Sequence, residues 1–139
     1  MSSRWLSGLS ALLLAFPALA ALPLTPFEQA PTQPLPRSAV ISKYLHELDA
    51  ASPLASVTQL GLSAGKRPVE ALLISEEPEF LREGRPSSQR LTVMLVGSQH
   101  GNEPSGTEVL QILARRLLDG ELTDRKSTRL NSSHTVVSR

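Results

Sequence analysis

The sequence contains no cysteine. That excludes a disulfide framework, a thiolate metal site and a thiol nucleophile. Any bound metal ion must therefore be held by nitrogen and oxygen. Histidine is scarce as well, with only His46, His100 and His134 present. A long apolar run is also missing. The best candidate, residues 6–20, is shorter than the roughly 20 residues a membrane-spanning helix needs.

That short run has a different meaning. Arg4 supplies a positive n-region, Leu12, Leu13, Leu14 and Phe16 form an apolar centre, and Ala18 and Ala20 are small residues at the expected cleavage positions. Residues 1–20 are therefore predicted to be a signal peptide cleaved after Ala20. The competing reading is an uncleaved anchor, which the length disfavours. Export predicts a periplasmic or secreted protein, without stable membrane insertion after cleavage.

The other end is unusual. Asp124 to His134 back-translates into a common sequencing-library adapter. Residues 124–139 are therefore set apart as a non-native tail and left out of fold reasoning. The alternative is a polar, Ser-rich disordered tail. Without the tail and the signal peptide, nine basic residues face twelve acidic ones. The formal charge of +1 for the whole chain thus conceals a mildly acidic body, with no basic footprint for nucleic acid.

Between these ends, residues 21–37 form a lead-in. Pro23, Pro26, Pro31, Pro34 and Pro36 predict extended chain with no helix. Residues 38–50 are predicted to be a helix, because Val40, Ile41, Tyr44, Leu45 and Leu48 recur at three and four. Ser38 is its candidate N-cap, and His46 lies between the apolar positions as a solvated surface residue. Residues 56–60 and 69–75 are strand-like and flank a turn-rich loop, which predicts an antiparallel hairpin. Residues 76–89, with Pro78, Gly84 and Pro86, read as a loop.

Residues 90–97 carry a nearly continuous apolar run, Leu91 with Val93 to Val96, as in a strand buried on both faces. A helix over 105–119 follows directly. Ser105 and Glu108 fit a capping box, Val109, Leu110, Ile112, Leu113, Leu117 and Leu118 form the apolar face, and Gly120 stands at the C-terminal cap. A buried strand leading into an amphipathic helix opens a βαβ unit.

The chemistry lies in the loop between them, Gly97-Ser98-Gln99-His100-Gly101-Asn102-Glu103-Pro104. In open α/β sheets, ligands bind beyond the carboxyl ends of strands. His100 ends the strand and Glu103 opens the helix, so one short loop can offer an imidazole and a carboxylate to one ion. That donor pair suits zinc. Gly101 and Gly106 permit a sharp turn and leave room for a substrate. The bland reading is that Glu103 and Asn102 cap the helix while His100 bonds the backbone. A histidine and a glutamate three residues apart also recur by chance. The strand, the capped helix and the flanking glycines favour the metal.

Residues 44–120 resemble the N-terminal part of the zinc carboxypeptidases of the carboxypeptidase A type. Tyr44-Leu45-His46-Glu47-Leu48 resembles the family's first helix. Gly61-Leu62-Ser63-Ala64-Gly65-Lys66-Arg67-Pro68-Val69 resembles its hairpin pattern, with Lys66 where the family usually has glycine. Ser98 to Pro104 resembles its first metal-binding segment. The resemblance implies that residues 38–123 are the start of a mixed-sheet α/β/α catalytic domain, cut short after the first strand–helix unit. It implies that His100 and Glu103 are two of three zinc ligands, and that Arg67 lines a substrate subsite; a structural surface role competes for Arg67. In such enzymes zinc polarises the scissile carbonyl and activates water, and a separate glutamate is the general base. That base, the third ligand and the arginine that binds the terminal carboxylate lie in the family beyond this segment. The chain as written is accordingly expected to be inactive.

The activity so implied is an exported zinc metallocarboxypeptidase acting on peptides. Two alternatives compete. One is a zinc acylase of the aspartoacylase and succinylglutamate desuccinylase type, which shares the His-Gly-Asn-Glu segment. The other is a non-catalytic carboxypeptidase-like binding module.

Overall fold

The computed structural model describes residues 21–85, 91–100 and 103–122, and the backbone of 133–138. The expected signal peptide, most of the tail, Gly101 and Asn102 lie outside the described residues. Four helices and four strands are described: α1 (Pro26–Gln29), α2 (Ser38–Ala51), β1 (Ala55–Leu62), β2 (Pro68–Ile74), α3 (Pro78–Glu83), β3 (Thr92–Val96), α4 (Ser105–Leu118) and β4 (Ser133–Ser138). None of these helices is long and apolar enough to cross a membrane.

The expected hairpin is present. β1 pairs antiparallel with β2 from Ala55 opposite Ile74 to Leu62 opposite Pro68, with an irregularity between Gln59 and Gly61. The sheet order is β1-β2-β4-β3. β4 runs antiparallel to β2 and parallel to β3, so the sheet is mixed. Residues 133–138, set apart from the fold on the sequence reading, thus provide the parallel partner that closes the βαβ unit around α4.

Alternation along β2 sends Leu72 and Ile74 to one face, and Ala71 and Leu73 to the other. The first face carries the main core. Tyr44, Leu45 and Leu48 of α2 and Ala114 of α4 join Ala55, Leu72 and Ile74 there, flanked by Leu110, Leu117 and Leu118. The second face is covered over β1 and β2 by α3, whose Phe80 is buried along with Ala71 and Leu73. The result is an α/β/α arrangement.

Five expectations are corrected. The lead-in contains a helix, because Pro26 stands at its first position, where a missing N–H costs nothing. Thr25 caps it: its hydroxyl accepts from the Glu28 amide at 3.2 Å, and Glu28 accepts from the Thr25 amide at 2.8 Å. The loop at 76–89 contains α3 for the same reason, with Pro78 at its start and Gly84, at φ 65°, as its left-handed cap. β3 is not buried on both faces. Val93 and Leu95 are half-buried, but Met94 and Val96 are exposed, as is Leu91 before the strand. Finally, the Ser105–Glu108 capping box does not form. Pro104 is the N-cap, without a side-chain bond. Likewise Arg37, not Ser38, precedes α2 as an unbonded cap. The C-terminal cap of α4 does form. Gly120 at φ 73° lets the Glu121 amide reach the Arg116 carbonyl and its own amide reach Leu117, a Schellman closure.

Candidate metal centre

β3 and α4 meet at almost no separation. A side chain on Gly97 would lie 3.0 Å from the Thr107 Cα and 3.1 Å from the Gly106 carbonyl carbon. Gly106 in turn leaves only 3.3 Å between its missing Cβ and the Ser98 amide. These glycines let the first turn of α4 lie against the end of β3. For Gly106 this packing, rather than space for a substrate, is the structural reason.

The chain then reverses. Ser98 takes the left-handed region at φ 50°. Its hydroxyl donates to the Glu103 carbonyl at 3.1 Å and forms a short hydrogen bond with the Thr107 hydroxyl. The Glu103 amide donates to the His100 carbonyl at 3.1 Å. These bonds close the loop around its tip. His100 Nδ1 lies 3.2 Å from Glu103 Oε2. The two side chains are 67% and 62% exposed, so both reach solvent.

This arrangement fits zinc. An imidazole nitrogen and a carboxylate oxygen already converge, and both belong to the donor set zinc prefers. Each is open enough for an ion to replace their mutual contact. No cluster of three or more metal-capable side chains occurs among the described residues. His46 is engaged elsewhere, 3.1 Å from Glu70 Oε1. His134 stands opposite Ile74 and Val93, three residues back along β3 from its His100 end.

Arg67 lies in the hairpin turn. The Ser63 amide donates to the Arg67 carbonyl at 2.8 Å, and the Arg67 amide donates to the Ser63 hydroxyl at 3.1 Å. Arg67 lines a hollow together with Arg37, Ser38 and Val69. Register relates this turn to the His-Glu loop. Val96 pairs with Val137, and Val137 with Ala71. The end of β3 is therefore level with Ala71, two interstrand spacings or roughly 10 Å away, and the start of β2 lies three residues beyond it at the same edge of the sheet. Arg67 and the His100 loop project from that edge.

Lys66, immediately before Arg67, has φ 58°. A residue with a Cβ pays about 1–2 kcal/mol there relative to the right-handed region, and glycine does not. Lys66→Gly is expected to raise stability by about 1 kcal/mol, read from the midpoint of urea unfolding; an unchanged or lower midpoint would count against strain at this turn.

Ser98 and Gly97 are the parts that sequence reasoning missed. The available signal was Gly97-Ser98 at the strand's end with Thr107 one helical turn inside α4. That pattern pairs a close approach with a hydroxyl bond across it.

Comparison with known proteins follows this geometry. The family model for zinc carboxypeptidase matches residues 41–136. A carboxypeptidase A from Helicoverpa armigera superposes with a TM-score of 0.61 at 18% identity, over 74% of this chain and 24% of that one. A metallo-carboxypeptidase from Burkholderia cenocepacia gives 0.55 at 20% identity, over 72% and 25%. The chain thus spans about a quarter of the length of these structures, and at such identities they show the fold alone. Curated protein sequences gave no match. With the family model covering more than half of its residues, the chain belongs to the zinc carboxypeptidase family.

Proposed function

We propose that this chain carries part of the active site of an exported metallocarboxypeptidase, with His100 and Glu103 as two zinc ligands and Arg67 at a substrate subsite. The observation that carries the reading is the 3.2 Å convergence of His100 Nδ1 and Glu103 Oε2 on a braced loop at the carboxyl end of β3. Bound there, zinc would supply Lewis-acid polarisation of a peptide carbonyl and an activated water. The chain's own residues position that chemistry. Ser98 and the Glu103 amide hold the loop closed, and Gly97 fixes it to the sheet. Arg67, at the same sheet edge, offers a guanidinium to a peptide carbonyl or carboxylate. The third ligand and the general base would come from sequence beyond these 139 residues. Export is supported by the apolar run and small residues of the first 20 positions.

The test is to express the uninterrupted gene product, measure zinc per chain, and assay release of C-terminal amino acids from peptides. One zinc per chain and stepwise C-terminal release are expected. Cleavage of N-acyl amino acids with no action on peptides would overturn the carboxypeptidase reading in favour of an acylase. A zinc-free, inactive product would favour a binding module.

A further inference from the structure

The lead-in is fastened to the body. Leu22 packs against the core, and Thr25 is fully buried. The Tyr44 hydroxyl of α2 donates to the Pro23 carbonyl at 3.2 Å; burial pushes this hydroxyl up to about 12, so it stays a donor. On the other side, Arg115 of α4 reaches Glu28 Oε1 at 2.9 Å, with only 14% of its side chain exposed. Residues 22–29 therefore bridge the two helices that cover one face of the sheet.

The charges around Glu28 oppose one another. Arg115 attracts it, with Asp119 on the far side of Arg115 at 3.9 Å. Glu108, about two helical turns before Arg115 on α4, carries a like charge that Glu28 disfavours. Glu108 Oε2 is buried with no hydrogen-bond partner among the described residues. From α2 the neutral Tyr44 hydroxyl interacts with both Arg115 and Glu28. We propose that residues 22–29 form a strap whose fastening to α4 tightens and then releases as the pH falls, with Glu108 setting the first step and Glu28 the second.

The signs follow from the two environments. Burial holds Glu108 above its ordinary value of 4.5, with the charge of Glu28 adding to it against the Gln111 bond. Its repulsion is present at neutral pH and fades as the pH falls through that raised value. Burial would also raise Glu28, but the Thr25 amide and the Arg115 charge outweigh it and hold Glu28 below 4.5. Its attraction to Arg115 survives until the pH falls through that lowered value. Between the two, Glu108 is neutral and Glu28 still charged. The strap is held most firmly in that mildly acidic window, which brackets 4.5.

Amide hydrogen exchange on the 139-residue protein, from about pH 3 to about pH 7, tests this. The probes are the Glu28 and Gln29 amides, bonded to the Thr25 hydroxyl and carbonyl, with the β1–β2 amides as reference. Strap protection relative to the reference should rise several-fold as the pH falls towards the window, then drop several-fold as Glu28 takes up its proton. Glu108→Gln should remove the rise and keep the drop. Glu28→Gln should remove both. Strap protection that tracks the hairpin at every pH would overturn the proposal, since opening would then be global unfolding. So would a rise that persists in Glu108→Gln.

Discussion

Glu103→Ala in the uninterrupted gene product is expected to cost more than about 100-fold in kcat/KM and to leave zinc well below one per chain. Loss of an outer partner of a metal ligand already costs roughly 10–100-fold, and a ligand itself contributes more. His100→Ala should behave alike, because the two side chains converge on one point. Ser105→Ala, an exposed change at the start of α4, should leave both quantities unchanged. The measurement is zinc by atomic absorption beside peptide hydrolysis. A Glu103→Ala protein that keeps full zinc and activity would sink the ligand assignment and leave Glu103 as a loop residue bonded through its backbone.

The largest effect on stability is expected at Leu72. It is fully buried between α2 and the sheet, in the cluster with Tyr44, Leu45 and Leu48. Leu72→Ala removes most of a side chain from a site enclosed by two helices and a strand pair. Such changes cost about 2–5 kcal/mol, depending on how far the surroundings collapse. Leu62→Ala is the comparison. That residue is 63% exposed at the hairpin end, so its loss should fall within about 0.5 kcal/mol. Urea unfolding of both variants decides the matter: equal midpoints would mean that the core does not centre on β2.

Much of this architecture is legible in the residues. α2 and α4 announce themselves by spacing, and the hairpin by two apolar runs around a turn. What escaped did so for separate reasons. Proline reads as a helix breaker at Pro26 and Pro78, yet both stand at first positions, where proline starts a helix. Thr25 with Glu28 and Gly84 marked those helices in plain view. The run from Val93 to Val96 reads alike whether one face is covered or two, because an apolar sequence does not say how many helices its neighbours supply. The partner strand of β3 fell in a stretch excluded on other grounds. At the candidate site, the His-Glu pair stands out in the sequence because the metal chemistry proposed for it restricts residue type. The brace is harder to see, because Gly97, Ser98 and Thr107 are common residue types whose pairing across the strand–helix junction carries no chemical restriction.

The close contact of Gly97 with the first turn of α4 has a consequence for how such a site can change. The His100–Glu103 loop is clamped at both ends, by a strand on one side and a helix start on the other. Its length cannot drift without lifting the helix from the sheet. Insertions would be accommodated more readily at the hairpin turn around Arg67, which projects from the same edge beyond the last strand pair, Leu62 with Pro68.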